Sequence, residues 1–282
     1  MMRILLGGAL GRMGREVTLA AEAAGIEITG GVDVAYAGQP CAYPVFTDYA
    51  QAAVDADVIV DFSRPDALPE LLELAVNNKL PVVLCATGYT DVELERILDA
   101  AKKIPVLRSA NMSLGVNVLM ELVSMASRTL EGFDIEIVEK HHRMKADSPS
   151  GTALMLYEAA RNEKGSETEP VYGRYGRTQK RTSSEIGIHA VRGGTVTGEH
   201  EVGFYGNGEQ VILTHRAENR ALFAQGALKA ASYLLDKKSL YFSCNVFAFA
   251  VLSNVYGYGF TPISTKSVSF CILTSRTPCD EL

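Results

Sequence analysis

The chain has 282 residues, 47% of them hydrophobic and 21% charged, so it can bury the core of one large or two modest domains. Its net charge of −6 argues against a dedicated nucleic-acid-binding protein. The five cysteines include no Cys-x-x-Cys pair, which favours a reducing compartment over a disulfide framework. No signal-peptide pattern opens the sequence, and we expect a cytoplasmic protein.

A strand, a glycine turn and a helix open the chain. Residues 4–6 form a short apolar run, and residues 12–24 have the composition of a helix. Gly8, Gly11 and Gly14 follow the apolar run at intervals of three residues. Glycines at such positions permit a tight turn and let a pyrophosphate approach the backbone at a helix N-terminus. The pattern therefore predicts a dinucleotide-binding turn.

The residue that ends the second predicted strand bears on the choice of cofactor. Asp33 follows the strand over 28–32, where an acidic residue would accept hydrogen bonds from the adenosine ribose; a surface turn is the alternative. Val34 comes next, and no Arg or Lys lies between Asp33 and Ala50. A 2′-phosphate would therefore meet a carboxylate without a nearby cation. We predict NADH as the preferred cofactor, with NADPH as the alternative because Arg12 could bind phosphate.

Strands alternate with helices over the rest of the first 112 residues. We predict strands over 57–62, 81–84 and 105–107, and helices over 67–77 and 91–103. This alternation predicts an α/β fold, with a Rossmann-like parallel sheet and helices on both faces. Because ligands bind at the carboxyl ends of such strands, we expect the turns at 8–14, 85–88 and 109–112 to line one crevice.

The following residues predict a second, α+β domain with a mixed or antiparallel sheet. Its expected elements are a helix over 115–130, a strand over 133–138, a helix over 152–160, and strands over 186–191, 195–201 and 210–215. The basic and polar residues 172–181 predict a hairpin-like excursion. An amphipathic helix over 222–235 is expected to return to the first domain.

These elements predict three segments. Residues 1–112 form a dinucleotide-binding domain that a returning segment, 218–242, completes, and residues 113–217 form a substrate-binding domain. Residues 243–282 form an atypical tail. The run over 239–265 carries no charge and is long enough to span a membrane, but its Asn, Gly and Pro residues argue against a span.

A polar stretch over 139–153 carries the groups best suited to chemistry. We expect a loop between a strand and a helix N-terminus, with Pro149 in the first helical turn. His141 and His142 can transfer protons near neutral pH, and Lys145 can donate a proton or bind a carboxylate. A solvated basic loop with a helix cap is the alternative.

The residues that follow complete this candidate site. Ser150, Gly151 and Thr152 would offer backbone N–H groups and hydroxyls at the positive end of the helix, where carboxylates bind. The convergence of so many such groups favours an active site over a solvated loop. No His-Glu-x-x-His sequence or paired cysteine spacing is present, so we predict no metal site.

Four further residues have open assignments. Arg192 lies in an Arg-Gly-Gly-Thr sequence, where it could reach a substrate carboxylate or belong to a plain hairpin turn. His189, His200 and His215 lie in strand-like runs, and there a structural role is more common than a ligand role.

Both clusters resemble those of the bacterial dihydrodipicolinate reductase family, over about residues 2–242. The pattern His-His-Arg-x-Lys-x-Asp-x-Pro-Ser-Gly-Thr-Ala, at 141–153, is far more specific to this family than the glycine turn is. This pattern belongs to a matching stretch over 139–153, and the other matching stretches are 8–14, Asp61-Phe62-Ser63, 109–117, Val191-Arg192-Gly193-Gly194 and Gly198-Glu199-His200. One position departs from the family, which usually has Gly-Thr-Thr in place of Cys85-Ala86-Thr87.

The resemblance implies NAD(P)H-dependent reduction of 4-hydroxy-tetrahydrodipicolinate to tetrahydrodipicolinate, in lysine and diaminopimelate biosynthesis. A hydride would pass from nicotinamide to C4 of this cyclic dicarboxylate, and the 4-hydroxyl would leave as water. The resemblance also implies a homotetramer built through the sheet of the second domain.

Residue roles follow from the same resemblance. His141 corresponds to the family's acid/base histidine and Lys145 to its proton donor. Its substrate-holding positions correspond to His142, Gly151 and Thr152, to which the helix-start argument adds Ser150. The implied dinucleotide site comprises Gly8, Ala9, Leu10, Gly11, Arg12, Met13, Asp33, Cys85, Ala86, Thr87, Ser109, Ala110, Asn111 and Met112.

Two other functions remain open from the sequence. A non-catalytic dinucleotide-binding regulatory protein would retain the glycine turn but would have no use for His141 and Lys145. Another two-domain NAD-dependent dehydrogenase would act on a different dicarboxylate or on an aldehyde.

Overall fold

The computed structural model describes residues 1–52, 55–165, 167–177 and 180–237, together with the backbone of Tyr241 and Phe242. The predicted tail, 243–282, lies outside these residues. The chain divides into two units. Among the described residues, the first unit contains Met1–Met112 and the chain from Phe223 onward, and the second contains Ser113–Leu222.

A parallel sheet with accompanying helices forms the first unit. Its strands are β1 (Arg3–Gly7), β2 (Glu27–Val32), β3 (Val45–Phe46), β4 (Val58–Asp61), β5 (Val82–Leu84) and β6 (Val106–Arg108). They lie in the order β6-β5-β4-β1-β2-β3, and all neighbours are parallel. The helices are α1 (Arg12–Ala23), α2 (Leu68–Asn78) and α3 (Asp91–Ala101). The predicted α/β class is confirmed.

Both faces of this sheet are covered. Ile4, Leu5 and Leu6 have no exposed surface, although successive side chains of a strand point to opposite faces. Continuous apolar runs of this kind are typical of buried parallel strands. The sequence analysis missed β3, whose two residues are too few to show a periodic pattern.

A mixed sheet forms the second unit, as predicted. Its strands are β7 (Asp134–His141), β8 (Glu169–Tyr172), β9 (Glu185–Arg192), β10 (Gly198–Tyr205) and β11 (Gln210–Ala217), in the order β11-β10-β7-β9-β8. The pairs formed by β9 with β7 and β8 are parallel, and those formed by β10 with β7 and β11 are antiparallel. Two helices, α4 (Leu114–Thr129) and α5 (Gly151–Lys164), pack on the sheet and against each other.

Two detailed predictions for this unit were wrong. β7 continues to His141, beyond the predicted end at residue 138. The prediction ended too early because the inward-facing residues change from apolar to polar at Glu139. The segment 172–181 is not a hairpin, since β8 pairs in parallel with β9. Within 172–181, residues 178 and 179 lie outside the described part.

The returning helix is α6 (Ala221–Leu234), which lies in the first unit from Phe223 onward. A Cβ added at Gly226 would overlap the carbonyl oxygen of Met112, so glycine permits this helix to approach the backbone that follows β6. After α6, the backbone of Tyr241–Phe242 pairs in parallel with β6 at the edge of the sheet. Among the helices of the described residues, none is both long and apolar enough to cross a membrane.

Candidate active site

The glycine turn joins β1 to α1 in the first unit. Gly8 has a left-handed φ of +70°, and a Cβ added there would overlap the backbone of Phe62. An added Cβ at Gly14 would overlap the carbonyl oxygens of Gly8 and Ala9, so α1 approaches the turn too closely for a side chain. Gly11 is the N-cap of α1 and gives the helix no side-chain cap. Backbone donors at the positive end of α1 thus suit a pyrophosphate.

Asp33 lies beside this turn. One carboxylate oxygen accepts a hydrogen bond from the Leu10 N–H at 2.9 Å, and the other accepts from the Ala35 N–H at 2.9 Å. The side chain therefore links the end of β2 to the glycine turn. The contact with the glycine turn favours the interpretation of Asp33 as an acceptor for ribose hydroxyls over its interpretation as a surface turn residue.

The other residues predicted to bind the cofactor follow neighbouring strands. Cys85 comes directly after β5, where its N–H donates to the Asp61 carbonyl at 2.9 Å and burial raises the pKa of its thiol. After β6, the Ser109 hydroxyl donates to the Asn111 carbonyl at 2.8 Å and closes the turn over 109–112. The remaining members lie in the glycine turn or beside these residues: Arg12, Met13, Ala86, Thr87, Ala110 and Met112. The parallel sheet places all these turns at its carboxyl edge.

A buried pair supports this edge, and the sequence analysis assigned it no role. The Tyr49 hydroxyl donates to the Asp61 carboxyl at 2.9 Å, and the Ser63 N–H donates to the same oxygen at 3.2 Å. A Cβ at Gly7 would overlap both side chains of the pair. Burial raises the pKa of Asp61, although these hydrogen bonds oppose the rise. The signal that could have revealed Asp61 is the Asp-Phe-Ser sequence at the end of an apolar strand.

The second unit contains the polar stretch, and β7 rather than a loop carries its first part. Glu139 and His141 both point inward from β7, with 0% and 8% of their surfaces exposed. The two side chains are joined by a hydrogen bond of 2.5 Å between His141 Nδ1 and Glu139 Oε2. A carboxylate accepts but does not donate, so this geometry places the proton on Nδ1 and leaves Nε2 for other partners.

Glu139 is the centre of a larger hydrogen-bond network that the sequence analysis did not identify. Arg192 donates to both carboxylate oxygens, at 2.8 and 2.7 Å, and the Ser150 N–H donates at 3.0 Å. Burial by itself would raise the pKa of Glu139, but the hydrogen bonds from Arg192, His141 and Ser150 lower it below its ordinary value. From the sequence, Arg192 could either reach a substrate carboxylate or lie in a plain hairpin turn. In the structure, Arg192 is the last residue of β9 and its guanidinium binds Glu139.

A second histidine lies against His141. The His200 and His141 rings meet edge to face, with centroids 5.1 Å apart. Nε2 of His200 lies 3.0 Å from the Ser150 hydroxyl, and its buried Nδ1 has no hydrogen-bond partner within the described part of the chain. Burial is the main reason that the pKa of His200 falls to about 3, and burial also lowers the pKa of His141.

The three histidines expected to be structural differ in their surroundings. His189 bonds to Glu136 at 2.7 Å, and His215 lies 3.3 Å from the Ser113 hydroxyl. Only His200, of these three, contacts a residue of the predicted active site. Its place in the Gly198-Glu199-His200 match was the available signal.

Ser150 connects the network to α5. Its hydroxyl accepts a hydrogen bond from the Ala153 N–H at 3.1 Å, which makes Ser150 the N-cap of the helix. Pro149 therefore precedes the cap and lies outside the first turn, contrary to prediction. Gly151 begins the helix on an exposed surface, and Thr152 is half-buried beside it. The hydroxyl of Ser150 has protein partners, whereas the helix start itself remains suited to an anion.

Lys145 and His142 lie on the loop between β7 and α5. Lys145 Nζ donates to the Asp147 carboxylate at 2.8 Å, and the lysine side chain is 21% exposed. His142 lines a concave site of about 390 Å³ together with Arg143, Met144, Gly194, Thr195 and Arg220. In the residues that the structure describes, no group of His, Cys, Asp and Glu side chains is arranged to hold a metal ion.

A Rossmann-like unit with a glycine turn, followed by a unit with a buried histidine–carboxylate pair, defines a two-domain nucleotide-dependent oxidoreductase. Two family models, dihydrodipicolinate reductase N-terminus and C-terminus, match residues 2–112 and 115–247. The chain belongs to the dihydrodipicolinate reductase family. The match extends five residues into the segment predicted to be an atypical tail.

Known relatives agree with this assignment. The chain is 48% identical to the 4-hydroxy-tetrahydrodipicolinate reductase of Caldanaerobacter subterraneus, over 84% of this chain and 94% of that protein. It is 46% identical to the enzyme of the same name from Clostridium tetani, over 85% and 94%. The dipicolinate-bound dihydrodipicolinate reductase of Paenisporosarcina sp. TG-14 superposes with a TM-score of 0.73 at 25% identity, over 86% of this chain and 98% of that one.

Proposed function

We propose that this oxidoreductase reduces 4-hydroxy-tetrahydrodipicolinate to tetrahydrodipicolinate in lysine and diaminopimelate biosynthesis. The observation that carries the proposal is the buried Glu139–His141 pair next to the helix start at Gly151. It combines a proton-transfer group with an anion site, and relatives of 46–48% identity bear the name of this reaction.

The glycine turn fits a dinucleotide. Gly8 and Gly14 leave the room that a Cβ would fill, and Gly11 leaves the N-terminus of α1 without a side-chain cap. A bound nicotinamide nucleotide supplies the hydride. The residues after β5 and β6 would line the same edge, with Asp33 on the adenosine ribose. Asp33 and the lack of Arg or Lys between residues 34 and 50 favour NADH over NADPH.

The second unit would hold the substrate and supply the proton. Replacing the 4-hydroxyl by hydride releases hydroxide unless one proton is added, and water leaves once that proton is delivered. His141 through Nε2, or Lys145 through its ammonium group, can deliver it. The N–H groups of Gly151 and Thr152, the imidazole of His142 and the ammonium group of Lys145 would hold the two carboxylates.

Ser150 would act differently from the other predicted substrate residues. Its hydroxyl already contacts His200 and the Ala153 N–H, so we assign it to holding the helix start in place. Its position at the N-cap still brings the backbone of the helix start to the substrate.

Cytoplasmic location and a homotetramer form part of the proposal. One face of the second sheet carries α4 and α5, and the opposite face presents exposed Val191 and Ile212 among charged residues such as Lys140 and Glu199. An apolar and charged surface of this kind suits contact with another copy. Sedimentation analysis would show a species of four chains, and a monomer at micromolar concentration would refute this part.

The alternatives have less support. A non-catalytic regulatory protein would have no need of the buried Glu139–His141 pair, and the named relatives argue against a different dehydrogenase. The deciding experiment is NADH oxidation in an assay coupled to a dihydrodipicolinate synthase, with each nucleotide in turn. Absence of turnover by folded protein with both nucleotides would refute the proposed reaction.

A further inference from the structure

We infer that Glu139 is a positioning residue for His141 and that Arg192 holds it in this role. The inference rests on the proposed function, because it concerns how the acid/base histidine is prepared. Neither side chain was assigned such a role from the sequence. The geometry points to a chain of three groups, guanidinium to carboxylate to imidazole, within the second unit.

The hydrogen bonds at Glu139 fix the position of its carboxylate. Oε2 accepts from His141 and from one Arg192 nitrogen, while Oε1 accepts from the other Arg192 nitrogen and from the Ser150 N–H. Four donors and no exposed surface leave the carboxylate a single orientation. The fork of Arg192 matches both oxygens, which a lysine could not do.

This carboxylate determines which nitrogen of His141 is free. Since Nδ1–H donates to Glu139, the neutral ring must keep its lone pair on Nε2. Gly198 on β10 lies beside this nitrogen, since a Cβ added there would be 3.1 Å from Nε2. The missing side chain at Gly198 leaves space next to the nitrogen that remains for chemistry.

The groups around His141 act on its proton in opposite directions. Burial lowers the pKa of this ring, as do Lys145 on the loop and Arg192 on β9, whereas Glu139 raises it. His200 on β10 faces the ring but stays uncharged near neutral pH, since its own pKa is about 3. Within this cluster, Glu139 is therefore the group that supports a protonated His141.

Histidine NMR of the intact enzyme tests the inference without any need for turnover. The chain has five histidines, so protein labelled with ¹⁵N,¹³C-histidine gives few signals, and the signal missing from His141→Gln identifies residue 141. We expect the neutral His141 ring to carry its proton on Nδ1. A neutral ring that carries its proton on Nε2 in the wild type would overturn the inference.

Charge-removing variants should move the His141 pKa in opposite directions. Glu139→Gln removes the carboxylate charge and should lower this pKa, whereas Arg192→Gln removes a cation and should raise it while Glu139 stays ionised. A residue with only a structural role would give no such opposite shifts. Unchanged pKa values in both variants would contradict the inference.

The double variant Glu139→Leu/Arg192→Leu guards against misfolding of the single ones. Replacing a buried ion pair by apolar side chains is often neutral for stability, whereas removing one partner is costly. We expect this variant to fold, to lose the Nδ1–H preference of His141 and to lower kcat by at least about tenfold, with KM little changed.

Activity data separate this inference from the proposed function. If wild type does not turn over the substrate but shows the expected tautomer and pKa shifts, the proposed reaction fails and the positioning of His141 stands. If wild type is active and the folded double variant keeps its full kcat, the reaction stands and the positioning role is refuted. Arg192→Lys keeps the positive charge, so its His141 pKa should lie closer to the wild-type value than that of Arg192→Gln does. Its kcat should recover only in part, because a lysine cannot hold both oxygens.

Discussion

Each unit buries one carboxyl group near the carboxyl end of a central strand, and the two groups have opposite electrostatic character. Asp61 in the first unit is 1% exposed, and its pKa is raised because burial outweighs its hydrogen bonds from Ser63 and Tyr49. Glu139 in the second unit is fully buried, yet its pKa is lowered because Arg192 and His141 add charge-assisted hydrogen bonds. The partners, and not the extent of burial, determine the difference.

This difference matches the two tasks. The Asp61–Tyr49 pair contains no cation and supports the edge where the glycine turn lies. The Glu139 network places a carboxylate in direct hydrogen-bond contact with an imidazole. We therefore expect changes at Glu139 and His141 to affect chemistry, and changes at Asp61 to affect mainly the stability of the first unit.

The largest effect should come from the proton-transfer groups. His141→Gln and Lys145→Ala should each lower kcat by about 10² or more, because loss of a positioned proton donor typically costs that much. NADH binding, measured by fluorescence titration, should stay nearly unchanged. His189→Gln and Lys140→Ala are matched controls on neighbouring positions that pair with Glu136 and Glu199, and both should keep their kcat. Full kcat with a raised KM in His141→Gln would mean that His141 only binds substrate.

The isosteric pair Glu139→Gln and Asp61→Asn tests the comparison itself. Glu139→Gln removes the buried carboxylate that pairs with the half-buried Arg192 guanidinium and should cost about 3 kcal/mol of stability. Asp61→Asn keeps an oxygen acceptor for Tyr49 and should cost about 1 kcal/mol. Urea unfolding at about pH 7.5 measures both values, and equal losses would contradict the distinction between the two carboxyl groups.

The buried histidines should make stability depend on pH. His200 has a lowered pKa in the folded protein, so the unfolded chain binds more protons below about pH 6.5 and stability falls as the pH falls. Between about pH 7.5 and pH 5.5, His200 alone should remove about 1.4 kcal/mol. In urea unfolding, the loss of stability between these two pH values should be smaller by that amount in His200→Asn than in the wild type. An unchanged slope would show that the pKa of His200 is not lowered in the folded protein.

Asp33, an acidic residue beside the glycine turn of the first unit, should determine which nucleotide is preferred. We expect kcat/KM with NADH to equal or exceed that with NADPH, because a 2′-phosphate would meet Asp33. Asp33→Ser should move the ratio towards NADPH and leave the reaction at His141 untouched. A tenfold preference of the wild type for NADPH, about 1.4 kcal/mol, would show that Arg12 or a more distant cation overrides Asp33.

The smallest effect should come from the end of the chain. A protein ending at residue 247, where the family match ends, should keep its activity and be at least as soluble as the full chain. A protein ending at Lys237 also lacks the strand Tyr241–Phe242 on β6 and should melt a few degrees lower, as expected for a loss near 1 kcal/mol. If the protein ending at residue 247 had lower activity or a lower melting temperature than the full chain, residues 248–282 would contribute to the fold.

Apart from the two-residue strand β3, the sequence alone predicted the order of strands and helices over residues 1–112, because continuous apolar runs and the glycine spacing are local signals. It also indicated the chemical groups at residues 141–152, since their density is itself the signal. It failed where inward-facing residues are polar. Glu139 and His141 ended the apolar alternation of β7 in the pattern, although the strand continues through both.

Only the tertiary structure showed which groups meet. Arg192 and His200 lie more than fifty residues from Glu139 and His141, and β9 and β10 bring them together as the two neighbours of β7. Sequence spacing holds no information on such contacts, because strand pairing is long-range. The charge of Glu139 likewise depends on its partners in space, while the tight turn at Gly8 follows from a requirement of the local backbone.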